Sequence, residues 1–317
     1  PDDVHAIDEM GWVKRLKSNQ QMTYQLDMDG AQRTNEEGLA LVEHGLTLPG
    51  AEDTKLFFRL WNSRTDRVKI LMYQNDYDLA ISEARRYREE LAASTFEEEP
   101  RRRNSRLGYF ARLEGEGLSE QQRWQEAIEP LEYAVDAYDT ILAEDTAGYY
   151  YNLQKMTTLG PLVMSQIKLG HGEEALRRAH EAVGIAELLR AGDPKDASAR
   201  GYAATQLEML GRVEAQFGDR DAALAAITEA LDIRRAVLAD FPDTTGHRRD
   251  LAGTLKMAAV VYQEIGLNAE ACEALDQSLA RLVALDEAAT LTNVERDVWI
   301  PEVTGNQAAY SCIGGTD

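Results

Sequence analysis

The amino-acid sequence predicts an all-α fold, an α-α superhelix built from repeated helix pairs. The first observation is a repeat, because Gly170, Gly218 and Gly266 follow one another at a step of 48 residues. The second is that apolar residues within each copy stand three and four positions apart, the spacing of one helix face. The third is that no segment alternates apolar and polar residues over the length of a strand, so no β-sheet is expected.

The copies keep one register along much of the chain. The stretches LGHGEEALRRAHEAV, FGDRDAALAAITEAL and IGLNAEACEALDQSL align without gaps, and each has a second small residue seven positions after the first. A fainter copy, NEEGLALVEHGL, covers residues 35–46. The position of the first small residue is held in turn by Ala80, Ala127, Ala175, Ala223 and Ala271. This conserved spacing within one chain indicates an internal repeat rather than separate alanine-rich helices.

Each copy is interpreted as two helices joined by a short turn. The first helix, such as GYAATQLEMLGRVEAQFG, ends at a glycine that can adopt the left-handed conformation, and the second begins after it. Prolines such as Pro194 and Pro242 separate the copies. We expect an N-terminal helical cap with a degenerate repeat over 1–54, the repeat array over 55–290, and a C-terminal capping segment and tail over 291–317.

Two prolines fall inside predicted helices, Pro130 in a second helix and Pro161, preceded by Gly160, in a first helix. Proline in a helix interior removes one hydrogen bond and costs about 3 kcal/mol. We interpret both as tolerated kinks. A hinge or a widened pocket near Gly160 and Pro161 is the alternative.

The pattern resembles the tetratricopeptide repeat. Leu210-Gly211, Ala223, Ala230 and Pro242 stand in the order of that family's small-residue and proline positions. The family's unit has about 34 residues, so a period of 48 implies longer helices. The resemblance implies a right-handed solenoid whose first helices line a concave groove that holds peptides or partner helices. A weaker resemblance is to repeat arrays of bacterial signalling proteins, and because the sequence begins at Pro1 we expect it to be part of a longer protein.

The composition restricts the possible partners. The chain has 34 basic and 55 acidic side chains, for a formal charge of −21, so nucleic acid and anionic membrane surfaces are poor partners. No apolar run approaches the roughly 20 residues of a membrane span. Two cysteines, Cys272 and Cys312, are expected to form neither a disulfide framework nor a metal site; Cys272 is interpreted as a buried spacer and Cys312 as part of a mobile tail. The compartment, cytoplasmic or extracytoplasmic, is left open.

Residue patterns for catalysis are missing from the sequence. Phosphate-binding glycine motifs, a GxSxG element and metal-ligand spacings of histidine or cysteine do not occur. We therefore predict a non-enzymatic protein, with no catalytic residues, no metal and no cofactor.

The resemblance implies positions that face the groove, and the register places them in five of the units. The basic side chains among them suggest an acidic or carboxylate-bearing protein or peptide partner. Reversing Arg212 and Lys256 to glutamate is expected to weaken partner binding without loss of helicity. The candidates are Asn62, Lys69, Tyr73, Tyr109, Arg112, Glu116, Thr157, Met164, Lys168, Glu208, Arg212, Gln216, Lys256, Val260 and Gln263.

Three alternatives stay open. The basic side chains can pair with Glu116, Glu208 and Glu264 and bind nothing. The array can serve self-association as a homodimer. A small molecule can bind near Gly160 and Pro161 and the tyrosines at 149–151, of which at least one must lie on the surface because consecutive helical residues point about 100° apart.

Overall fold

The computed structural model describes residues 3–25, 27–95, 99–144, 148–291 and 295–312, with only the backbone of residues 24 and 25. Within these ranges the chain is helical and contains no β-strand, which confirms the predicted all-α class. Residues 292–294 and 313–317 of the expected C-terminal segment lie outside the described residues. None of the helices in the described ranges is both long and apolar enough to cross a bilayer.

Thirteen α-helices are described, and from the third helix to the twelfth they follow one another in pairs with short connections. Three single-turn segments, Gln21–Gln25, Ala51–Asp53 and Glu295–Trp299, lie between them. The helices are α1 Val4–Gln20, α2 Met28–Gly45, α3 Leu56–Tyr73, α4 Tyr77–Ala93, α5 Pro100–Glu120, α6 Trp124–Leu142, α7 Tyr149–Leu169, α8 Gly172–Gly192, α9 Ala197–Phe217, α10 Arg220–Asp240, α11 Thr245–Glu264, α12 Asn268–Glu287 and α13 Ile300–Ala309.

The small residues that defined the register are buried where paired helices cross. Gly211 of α9 packs on α10, and a Cβ at this glycine would lie 3.4 Å from the carbonyl oxygen of Ala223. Such close approach of two helix backbones requires residues without bulky side chains. The shared alanine position is fully buried in every copy, as the exposure of Ala80, Ala127, Ala175, Ala223 and Ala271 shows. The predicted repeat of helix pairs is thereby confirmed.

The glycines that end the first helices have two different roles. Gly170 and Gly266 adopt φ angles of 75° and 79°, the left-handed conformation expected at a helix end. Gly218 does not, because its φ is −118°. A Cβ there would lie 1.9 Å from Oε2 of Glu214, which accepts a hydrogen bond from the Asp219 amide. Gly218 therefore provides space for a side-chain cap rather than a left-handed turn.

The chain divides into two compact units, residues 1–165 and 166–317. The core of unit 1 contains Trp61, Tyr87 and Phe110, whose rings contact one another edge-on or tilted, with Phe110 6.1 Å from Trp61 and 5.8 Å from Tyr87 between ring centroids. Beside it, Arg59 donates to Asp8 at 2.9 Å, a nearly buried ion pair between α3 and α1. Unit 2 is built on the buried alanine and leucine faces of its paired helices.

Unit 2 overturns the expectation for the cysteines. Cys272 at the start of α12 and Cys312 after α13 form a disulfide, with their Cα atoms 5.3 Å apart. The prediction was wrong because 40 residues separate the two cysteines, and only the return of α13 onto α12 brings them together. Cys272 is therefore not a spacer, and Cys312 is held in place.

Both internal prolines lie in unbroken helices. Pro130 is buried in α6, and Pro161 lies within α7. Gly160 has no atom within 4 Å of the position where its Cβ would stand. The α-helical assignment continues through Gly160 and Pro161, and neither residue lines the cavity described below.

Candidate binding site

Unit 1 contains a cavity of about 530 Å³ lined by first helices of three successive copies and by α1. Three residues chosen from the repeat register, Asn62 and Lys69 on α3 and Tyr109 on α5, line this one cavity. Asn62 and Lys69 share a helix face because they are seven residues, or two turns, apart. The full lining set is Arg15, Phe58, Asn62, Thr65, Asp66, Lys69, Arg102, Ser105, Arg106, Tyr109, Tyr150, Tyr151 and Gln154.

Lys69 and Arg112 both approach the ring of Tyr109. The Lys69 ammonium nitrogen lies 5.2 Å from the ring centroid, and the Arg112 guanidinium carbon lies 4.6 Å from it. Burial by itself would lower the pKa of Lys69, but Tyr109 and the negative charge of Asp66 outweigh it, so the pKa of Lys69 is raised. Lys69 is thus a firmly charged ammonium in the wall of the cavity.

Arg112 is engaged within its own helix. It donates to Glu116 at 2.9 Å, one turn further along α5. Burial raises the pKa of Glu116, an effect that the charge of Arg112 opposes. Arg112 therefore corresponds to the alternative in which the basic side chains pair with acidic neighbours, and it does not line the cavity.

The acidic side of the cavity is occupied by an internal ion pair. Asp66 is buried and accepts a hydrogen bond from Arg15 at 2.7 Å. Burial raises the pKa of Asp66, and the positive charge of Arg15 opposes that rise. A second cavity, of about 390 Å³, shares Arg15, Asp66 and Lys69 with the first.

Aromatic rings form another part of the wall. Tyr150 and Tyr151 make an edge-on contact with their ring centroids 5.2 Å apart, and both line the cavity. Arg106 stacks on Phe58 at 4.7 Å. Tyr149 and Tyr150 are about half exposed, which confirms that the three consecutive tyrosines cannot all be buried. Together with the cations, these rings suit a ligand that carries both an anion and apolar or aromatic surface.

Several lining residues could not be found from the repeat. Arg15 belongs to α1, which has no copy of the repeat register. Arg106 precedes Tyr109 by three residues on α5, so the helical spacing offered a signal that was not used. Gln154 on α7 lines the cavity, and its Oε1 atom is buried without a hydrogen-bond partner in the described part of the chain.

The remaining predicted positions are distributed differently. Met164 on α7 is half-buried and does not line the cavity. In unit 2, Lys168 and Arg212 lie near Glu264: burial raises the pKa of Glu264, and the two positive charges oppose this. Lys256 is not open, because it pairs with Glu302 and lies under Trp299 of the C-terminal segment. The structure therefore gathers Asn62, Lys69 and Tyr109 but does not bring all eight leading candidates to one open site.

Comparison with known proteins gives similarity of fold and one partial family match. The family described as anaphase-promoting complex subunit 5 matches residues 117–188 and 194–237, less than half of the chain. A comparison with curated proteins finds no match to the sequence.

Two solved structures share the fold over most of their length. The crystal structure of BtubC (BKLC) from P. vanneervenii is 18% identical, covers 82% of this chain and 92% of its own, and has a TM-score of 0.59. The structure described as Nro1, a hypoxic regulator of sterol synthesis and nuclear import adaptor, is 14% identical, covers 87% and 89%, and has a TM-score of 0.53.

A third structure, a kinesin light chain of Podosopora anserina with TPR-like repeats, is 19% identical over 71% of this chain and 95% of its own, with a TM-score of 0.47. The buried alanine register, the repeated helix pairs and the similarities above 0.5 agree on the architecture. By its fold, the chain is a helical-repeat protein, a tetratricopeptide-like α-α solenoid.

Proposed function

We propose that this chain is a non-catalytic protein-interaction module that holds an acidic segment of a partner protein against the first helices of unit 1. The cavity lined by Asn62, Lys69 and Tyr109 is the anchor in this proposal. A helical-repeat solenoid of this type typically acts as a binding scaffold. The structure described as a nuclear import adaptor offers a precedent for a binding function on a similar fold.

The observation that carries the proposal is the environment of Lys69. Its ammonium lies against the Tyr109 ring in the cavity wall, and among the described residues no carboxylate lies within ion-pair distance of it. Asp66, the carboxylate that lines the same cavity, is already paired with Arg15. A partly desolvated cation without a carboxylate is costly, and an incoming carboxylate offsets that cost with a charge-assisted hydrogen bond.

Gln154 and the tyrosines indicate what else the ligand carries. The buried Oε1 atom of Gln154 accepts no hydrogen bond in the described structure, so a peptide N–H of the ligand would satisfy it. Tyr150 and Tyr151 offer ring surface for an apolar or aromatic neighbour of the acidic group. The combination favours a peptide segment with an acidic residue beside an apolar one.

A small-molecule ligand is the second candidate, because the cavity volume lies in the range of about 300–1,000 Å³ typical of small-molecule sites. The chemistry would be the same, an oxyanion for Lys69 with an aromatic or apolar body. A thermal-shift screen of aromatic carboxylates separates the two. Stabilisation of the wild-type chain but not of Lys69→Met would favour the small molecule.

Selection from a displayed random-peptide library tests the protein-binding proposal. The baits are the wild-type chain, Lys69→Glu, Lys69→Met and the matched control Lys55→Glu, since Lys55 is an exposed lysine next to the same helix. We expect acid-containing peptides to be enriched on the wild type and on Lys55→Glu. Both Lys69 variants should lose about tenfold or more in affinity for those peptides.

Circular dichroism establishes that each variant keeps its helix content. Equal enrichment of the same peptides on all four baits would contradict the assignment of Lys69 as anchor. No enrichment of any acidic sequence on the wild type would contradict the peptide proposal itself.

A further inference from the structure

The C-terminal segment of the chain lies on the face of α11 that the repeat register assigned to partner binding. Trp299 lies over Lys256, with the ammonium nitrogen 5.1 Å from the ring centroid, and Glu302 makes an ion pair with the same lysine. Gly253, one turn before Lys256, leaves room for the indole, because a Cβ there would lie 3.2 Å from Cη2 of Trp299. The segment thus occupies the position in which a partner was expected.

The non-covalent contacts of this segment are few. Val303 and Gln307 are the buried residues of α13, and Gln307 donates to Asp276 of α12 at 2.6 Å. Glu302 is half exposed, so its ion pair with Lys256 is screened by solvent. A helix of ten residues is too short to persist by itself in water. The position of α13 therefore depends strongly on whatever else attaches it.

That attachment is the disulfide between Cys272 and Cys312. Cys312 follows α13 directly, so the bond ties the far end of the segment to the start of α12. Both cysteines are only half-buried. A disulfide with this degree of access can be reached by a thiol, since the rate of exchange depends on access to the sulfur.

We propose that residues 295–312 are a redox-releasable occupant of the α11 face. A dithiol reductant supplies two electrons and two protons: the Cys272–Cys312 bond breaks, both sulfurs become thiols, and the dithiol closes to its own disulfide. Without the covalent tie, α13 leaves α11 and α12, and Gly253 and Lys256 become accessible. Oxidation of the two thiols returns the segment and covers Lys256 again.

This release needs no partner, because neither Cys272 nor Lys256 belongs to the cavity of unit 1. It can therefore hold or fail whatever the outcome for Lys69. Its consequence for binding is that an oxidised chain presents Lys256 already paired with Glu302, whereas a reduced chain presents it free for an external carboxylate.

The rate of acylation of lysine side chains tests the proposal on the full chain. The acylating probe is a soluble amine-reactive ester, and mass spectrometry measures modification of Lys256 relative to Lys195, an exposed lysine of the same unit. We expect dithiothreitol to raise the Lys256-to-Lys195 ratio of the wild type by about tenfold, as for a local opening. Hydrogen exchange of the α13 amides should rise in parallel while that of α9 stays constant.

The double variant Cys272→Ser/Cys312→Ser should show the high ratio with and without dithiothreitol. Mass analysis after alkylation records whether the wild type carries the bond. Free thiols in the untreated protein, or a low ratio that persists after complete reduction and in the serine variant, would overturn the proposal.

Discussion

A Cβ atom at Gly115 of α5 would lie 2.4 Å from Cγ of Leu131 of α6, closer than two carbon atoms can approach. Both residues are buried, and Leu131 is fully buried. The pairing of α5 with α6 therefore depends on the missing side chain at Gly115, which the repeat pattern had placed at a small-residue position.

Substitution Gly115→Ala should lower the free energy of unfolding by about 1–3 kcal/mol, because the added methyl group overpacks the crossing. The matched control is Gly184→Ala in α8, where no atom lies within 4 Å of the new Cβ. There the gain in helix propensity should be neutral or stabilising by up to about 1 kcal/mol. Thermal and urea unfolding followed by circular dichroism measure both, and equal destabilisation by the two variants would contradict the packing argument.

The ion pair of Arg59 with Asp8 predicts a large stability effect. Their side chains are about one-tenth exposed and joined at 2.9 Å, and Arg59 also stacks on Trp12 at 4.6 Å. Asp8→Ala leaves a buried guanidinium uncompensated and should cost about 3–5 kcal/mol. The control Asp240→Ala removes the more exposed partner of Arg200 and should cost no more than about 1 kcal/mol. Comparable losses in unfolding experiments on the two variants would refute this distinction.

Glu208 should make stability depend on pH in a recognisable direction. Burial raises its pKa, against the charge of Arg234 and the hydrogen bond that Thr254 donates at 2.6 Å. The folded chain thus holds the proton more tightly than the unfolded chain, so stability is lost as pH rises from the unfolded pKa through the folded pKa.

Glu208→Gln removes this titration while keeping an oxygen that can accept from Thr254. Relative to the wild type, the variant should therefore become more stable at about pH 7 than at about pH 4. Urea unfolding of both proteins at the two pH values measures the difference, in which other titrating groups cancel. An unchanged difference between the two pH values would mean that Glu208 does not titrate abnormally.

The disulfide should contribute to stability as well as to the position of α13. Cross-linking residues separated by 40 positions restricts the unfolded chain, and loss of the bond should cost about 3–4 kcal/mol. The Cys272→Ser/Cys312→Ser variant in oxidising buffer should unfold at the same denaturant concentration as the reduced wild type. If the oxidised wild type unfolds at that concentration too, the bond adds nothing.

The local features of the fold could be read from the sequence. The alanines at 80, 127, 175, 223 and 271 are buried in the structure as the register required, because small residues mark the crossing of helices that are neighbours in the chain. Three of the groove residues, Asn62, Lys69 and Tyr109, also meet in one cavity, since helical spacing determines which side chains share a face. Gly218 departs from the expected turn because the Glu214 carboxylate uses its space.

What the sequence by itself determined is the class of the fold, the order of its helix pairs and the face that each helix buries, because these depend on spacings within about 50 residues. The tertiary structure alone decided that Arg15 of α1 closes the cavity, that Cys272 bonds Cys312, and that Trp299 and Glu302 cover Lys256. Those contacts join segments outside the repeat to segments within it. A repeat pattern reports which face is buried, but it carries no information about which non-repeating segment of the chain covers it.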